Sequence, residues 1–160
     1  MNEKRKLNPL TIVFSLMIAA LLAFIWGNSM KSIPESQEQS LSLLARLQPF
    51  LDKVFGAGVI TDHILRKTAH FCEFGLLGVL LSLNKLTLRK HHFKIILLCL
   101  AEALFVASAD ETIQIFFHRG SQLRDVLLDF SGATVGIGGI FFLAWLFRRF
   151  RDSSRAVSRN

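Results

Sequence analysis

Between Ala109 and Gly136 the chain reads ADETIQIFFHRGSQLRDVLLDFSGATVG, and six charged side chains (Asp110, Glu111, Arg119, Arg124, Asp125 and Asp129) interrupt strongly apolar flanks. Charge beside or inside an apolar segment is expensive and is kept where it serves a purpose. The spacing is helical. Asp110, Gln114 and His118 recur every four residues, and Asp125, Asp129, Gly132 and Gly136 follow at i, i+4, i+7 and i+11, so each set shares one helix face. His118-Arg119-Gly120-Ser121 reads as a turn, with Ser121 as N-cap of the next helix. A second set, Arg66-Lys67-x-x-His70-x-x-Glu73, places His70 and Glu73 on one face with Arg66 one turn earlier.

These residue types admit four functions. As an enzyme, His70, Glu73, Asp110, Glu111, Asp125 and Asp129 would be the pool of acid–base groups, with His70 the base and Glu73 its orienter. Asp110, Glu111, Asp125 and Asp129 could hold a divalent cation that polarises a phosphoryl oxygen. Arg66, Lys67, Gln114, Arg119 and Arg124 would bind the substrate, the cations taking the phosphate of a lipid headgroup or lipid-linked cell-wall precursor. As a binding protein, the same groups would hold such a ligand without turnover. As polar glue, they would pair with one another between helices. Glu102, deeper in an apolar stretch, raises ion-coupled transport as a fourth reading. No strict metal motif such as HExxH occurs, and Ser121 has no triad beside it.

The elements that must carry these groups are membrane-like. The 160-residue chain has a mean hydropathy of +0.42, with 15 Phe and no Tyr, which is too apolar for a soluble domain with this much charge. The net charge of +7 gathers in short basic clusters beside apolar runs, an anchoring pattern and not a nucleic-acid surface. Cys72 and Cys99 form no CxxC and no disulfide framework. His91-His92 reads as a pair of loop histidines.

The fold expected is an all-α membrane protein: a four-transmembrane-helix bundle over residues 10–27, 62–83, 93–117 and 122–150, within one domain. The first run is too long for a signal peptide and lacks a small-residue cleavage site. In the first outer loop, Ser36 and Gln39 fit a capping box for an amphipathic interfacial helix, bent at Pro49, with Leu44, Leu47, Leu51 and Val54 at helical spacing. Thr61-Asp62 caps the second span. Gly75, Gly78 and Gly132-x-x-x-Gly136 mark close helix approach. With four spans, the side holding both termini has 12 Lys and Arg residues against 7 on the other, so the termini are expected in the cytoplasm. At about 1.5 Å rise per residue, His70, Asp110 and Asp129 then lie about 10–12 Å inside their helices on the same outer side. Three motifs reaching one depth predict one site.

These residues also carry a family likeness. Arg66-Lys67-x-x-His70-Phe71-x-Glu73-Phe74-x-x-Leu77-Gly78, Ala109-Asp110-Glu111-x-x-Gln114-x-Phe116, Arg119-Gly120, Asp125-x-x-x-Asp129 and Gly132-x-x-x-Gly136 resemble the VanZ family, as does the Trp26–Ser40 segment with Ser29, Pro34, Ser36 and Ser40. The likeness spans residues 10 to 140. One departure is His118, where the family often shows proline. The resemblance implies a multi-pass bacterial plasma-membrane protein whose founding member gives low-level resistance to teicoplanin-type glycopeptides. It supplies no catalytic residue list and no oligomeric state.

Overall fold

Helix starts are written in the local sequence. Asn8 accepts the Leu10 N–H at 3.1 Å while Pro9, which has no N–H to satisfy, occupies the first turn. Thr61 Oγ1 accepts from the Ile64 N–H at 3.4 Å. The computed structural model describes residues 8–86, 92–118 and 122–157, which form five helices: α1 (Pro9–Ser29), α2 (Ile33–Phe55), α3 (Asp62–Leu86), α4 (His92–Phe116) and α5 (Leu123–Val157). No strand occurs among the described residues.

The second helix begins earlier than expected. Its N-cap is Ser32, whose backbone N–H and hydroxyl both donate to Glu35 at 3.0 and 2.8 Å, so Ser36 lies inside the helix. Two Ser-x-x-Glu/Gln frames sit four residues apart here, and the earlier one wins because Pro34 favours a first helical turn. The Ser32 hydroxyl and N–H hold the exposed Glu35 carboxyl below its ordinary value. The helix continues through Pro49. In its last turn, Asp52 Oδ1 accepts from Gln48 Nε2 at 2.5 Å and from the Gly58 N–H at 3.1 Å, which ties down the turn through Gly56 and Gly58.

α1, α3, α4 and α5 run up, down, up and down, with α3 touching each of the others. The direction follows from which ends meet. Ser29 at the end of α1 reaches Asp110 in the last turns of α4. At the opposite end Asn84 donates to the Thr11 carbonyl at 3.1 Å and to Ser15 Oγ at 3.0 Å, and Lys85 pairs with Glu102 at 2.7 Å. Phe74 and Leu77 of α3, Ile95, Cys99, Ala103 and Ala107 of α4, and Ala133 and Ile137 of α5 form the core with Ile25 of α1.

The tightest seam is α3 against α5. A Cβ on Gly132 would strike the Phe71 carbonyl, one on Gly136 the Gly75 carbonyl, and one on Gly78 the Ala133 carbonyl. Glycine is required there because backbone, not side chain, is the neighbour. This seam locks His70 and Asp129, each one turn or less from those contacts, into a fixed relation. α2 packs on α3 and buries none of its own residues. Two helices, α1 and the Leu123–Arg151 part of α5, are long and apolar enough to cross a membrane by themselves. α3 and α4 carry charge along their lengths.

Candidate functional site

α3 enters with Arg66, Lys67, His70 and Glu73 in its first turns, and α5 enters beside it with Arg124, Asp125 and Asp129. Because the helices are antiparallel to α4, their first turns meet its last turns, which hold Asp110, Glu111 and Gln114. The outcome is one polar cluster at one end of the bundle. Ligand atoms of His70, Asp110 and Asp129 all lie within 4.8 Å of one another. Asp110 is fully buried, Asp129 is 1% exposed, and His70 is partly exposed.

Asp110 is held from two sides. Ser29 Oγ donates to its Oδ1 at 2.6 Å, and Gln114 Nε2, one turn further along α4, donates to its Oδ2 at 2.9 Å. Asp129 is held less completely. His70 Nδ1 stands 3.8 Å from its Oδ1, while its Oδ2 is buried with no hydrogen-bond partner among the described residues. An uncompensated buried oxygen costs about 1–3 kcal/mol, more when charged. Glu73 is half-buried and Glu111 buried, and both lie within electrostatic reach of Asp129, as do Asp110 and Asp125.

The cations stand at the rim. Lys67 Nζ meets Asp125 Oδ1 at 2.6 Å, which places Asp125 in an ion pair and outside the three-residue group. Arg66 turns back to Asp62 at 3.7 Å within α3. Arg124 is exposed. Arg119 and the expected N-cap Ser121 lie outside the described residues. Glu102 is remote from the cluster, bound to Lys85 at the other end of the bundle, where it ties α4 to α3.

Ser29 is the residue that reasoning about charge passed over. It was visible only in the Trp26–Ser40 likeness. Yet α1 ends at the level where α3 and α5 begin, so the depth argument reaches Ser29 once hydroxyls are counted beside charges. What the arrangement offers is a carboxylate pair beside an imidazole, all from different helices, with hydrogen-bond donors behind and cations in front. Such a set can bind a cation, accept hydrogen bonds from hydroxyls, and move a proton at His70.

No curated protein and no solved structure matches the chain. The family described as VanZ/LLP1 matches residues 12–149, a stretch that contains α2, α3, α4, nearly all of α1 and every residue of the cluster. With that coverage, the chain belongs to the VanZ/LLP1 family.

Proposed function

We propose that this chain is a multi-pass protein of the bacterial cell membrane whose polar cup, at the outer leaflet, binds the headgroup of a lipid-linked, cell-wall-related ligand and thereby lowers glycopeptide susceptibility of the teicoplanin type. In this reading α1, α3, α4 and α5 cross the bilayer and both termini are cytoplasmic. The outward faces support it: Leu16, Phe105, Val135 and Phe147 are each more than 60% exposed, which a lipid environment would satisfy. Arg149 stacks over Trp145 with 5.6 Å to the ring centroid, an aromatic and basic pair suited to the cytoplasmic interface. α2 is the interfacial helix. Its exposed Leu43, Leu47, Phe50 and Val54 recur at i, i+4, i+7 and i+11 and would lie in the headgroup layer.

The observation that carries the proposal is the convergence of Ser29, His70, Asp110, Gln114 and Asp129 from four helices at one end, with Lys67 paired to Asp125 one turn nearer that end and Arg124 exposed at the start of α5. Carboxylates and the Gln114 amide suit the hydroxyls of a sugar headgroup. The rim cations suit its phosphate, Lys67 exchanging Asp125 for it. Polar glue is the weaker reading, because a carboxylate kept for glue would not leave Asp129 Oδ2 without a partner among the described residues.

The test is binding of polyprenyl phosphate to the protein in nanodiscs, measured beside abundance, melting temperature and teicoplanin susceptibility. Asp129→Asn and His70→Ala are expected to stay folded and lose binding and phenotype. Full binding and phenotype in both folded variants would sink the proposal. A second reading, turnover of the phosphate, draws on the His70–Asp110–Asp129 grouping, and release of inorganic phosphate from the same probe would distinguish it.

A further inference from the structure

We infer that His70, Asp110 and Asp129 bind one divalent first-row transition-metal ion, Mn²⁺ or Zn²⁺, with Ser29 and Gln114 as the groups that aim Asp110 at it. The inference deepens the reading of the same cup, but it does not need the lipid phosphate.

The donors come first. One imidazole nitrogen and two carboxylates make a mixed N/O set, which suits Zn²⁺ and Mn²⁺ better than Mg²⁺ or Ca²⁺, whose shells are built from oxygen. The three donors come from α3, α4 and α5, so they surround a point instead of lining one helix face. Their atoms lie within 4.8 Å of one another, and His70 and Asp129 approach to 3.8 Å. Bonds of about 2.0–2.2 Å in a tetrahedral shell put ligands about 3.3–3.6 Å apart. Inward adjustment of about 1 Å therefore closes the shell, and His70 is the most exposed of the three ligands.

Charge supplies an independent reason. Among the described residues Asp129 Oδ2 has no hydrogen-bond partner, and it is buried on a residue that is 1% exposed. Four further carboxylates, Asp110, Glu111, Asp125 and Glu73, act on Asp129. Among the described residues neither Asp110 nor Asp129 makes an ion pair with Lys or Arg: Lys67 is engaged by Asp125 and Arg66 by Asp62. Crowded buried carboxyls are relieved either by a proton or by a cation, and a bound metal ion is the cation this donor set suits.

Support for the ligands comes last. Metal-bound carboxylates are themselves hydrogen-bonded by outer groups that fix their direction. Ser29 and Gln114 do this for the two oxygens of Asp110, each leaving a lone pair for a metal. His70 is partly exposed, so water or a ligand oxygen could reach the site and complete the shell.

The experiment is metal uptake by the full chain, purified in detergent, stripped with EDTA and dialysed against Mn²⁺, Zn²⁺, Mg²⁺ or Ca²⁺ with no polyprenyl phosphate present. A Cys72→Ser background removes the exposed thiol. Expected is one equivalent of Mn²⁺ or Zn²⁺ per chain, with Mg²⁺ and Ca²⁺ bound far more weakly. Asp129→Asn and His70→Gln should weaken affinity by at least about 100-fold and Ser29→Ala by about 10-fold. Glu102→Gln, at a part-buried acid towards the opposite end, should change nothing. Should the ligand variants fail to fold, the Mn²⁺-loaded parent decides by electron spin-echo spectroscopy, where ¹⁴N modulation from one imidazole is expected. Stoichiometric metal without that modulation, unchanged affinity in a folded Asp129→Asn, or no uptake at about millimolar free metal, far above ordinary protein sites, would overturn the inference. Metal uptake without polyprenyl-phosphate binding would defeat only the lipid reading. Lipid-phosphate binding by a chain that takes up no metal would defeat only this one.

Discussion

Lys67 Nζ lies 2.6 Å from Asp125 Oδ1, and one helical turn deeper His70 faces Asp129 at 3.8 Å. α3 and α5 are thus joined by two rungs of opposite chemistry, a closed ion pair at the rim and an open imidazole–carboxylate contact inside. The outer rung is partly solvated, so its coupling energy should be only about 0.5–1 kcal/mol. A double-mutant cycle with Lys67→Met and Asp125→Asn, read by chemical denaturation in detergent, measures it. Lys67→Met is expected to weaken polyprenyl-phosphate binding more than it weakens the fold.

The α3–α5 seam predicts a sharp positional contrast among glycines. A side chain at Gly136 meets the Gly75 carbonyl, while one at Gly138 meets open space. Gly136→Ala should therefore cost about 1–3 kcal/mol through forced separation of the backbones. Gly138→Ala should be neutral or stabilising by up to about 1 kcal/mol, as for an ordinary helical glycine. Melting temperatures of the two variants in one detergent settle the contrast, and equal values would refute it.

His118, which closes α4, has φ 56, a left-handed angle that costs a side-chain-bearing residue about 1–2 kcal/mol. Proline, with φ fixed near about −65°, cannot take it, so a proline at this place would need a different backbone path. His118→Gly should raise the melting temperature and His118→Pro should lower it. The opposite order would mean that the turn is built another way.

Topology follows from the basic asymmetry and can be checked by labelling. In a Cys72→Ser, Cys99→Ala background, a cysteine replacing the exposed Gln122 should react with an impermeant maleimide applied to whole cells. One replacing the exposed Lys94 should react only after lysis. The reverse pattern would invert the orientation.

Much of this architecture is readable in the chain because its signals are local. Apolar run length and caps such as Thr61 set most helix ends within a few residues, although α5 runs on to Val157, beyond the apolar run that ends near 150, and the rise per residue places His70, Asp110 and Asp129 at one level. What depends on choosing among equivalent partners is not readable. Arg66 and Lys67 are adjacent cations, yet one folds back on Asp62 and the other crosses to Asp125. Ser32 and Ser36 head equivalent capping frames, and only the position of Pro34 separates them. Glu102 stands alone in an apolar stretch of sequence, and only the helix arrangement brings Lys85 to it. Ser29 stayed hidden because a hydroxyl at a helix end has its own backbone as an equal partner.

α1 is tied by hydrogen bonds at both extremities. Its last residue bonds Asp110, while Asn84 holds its first turns through Thr11 and Ser15. Between these ties Ile25 enters the core with Ile18, Leu21, Leu22 and Trp26 packed against it, while most of the other residues face outward. Sliding it by one turn, about 5.4 Å, would break both ties at once and gain neither back. α1 therefore has a single permitted register, and that register is set from the polar cluster: whatever binds there and pulls on Asp110 also pulls on the far end of the first helix.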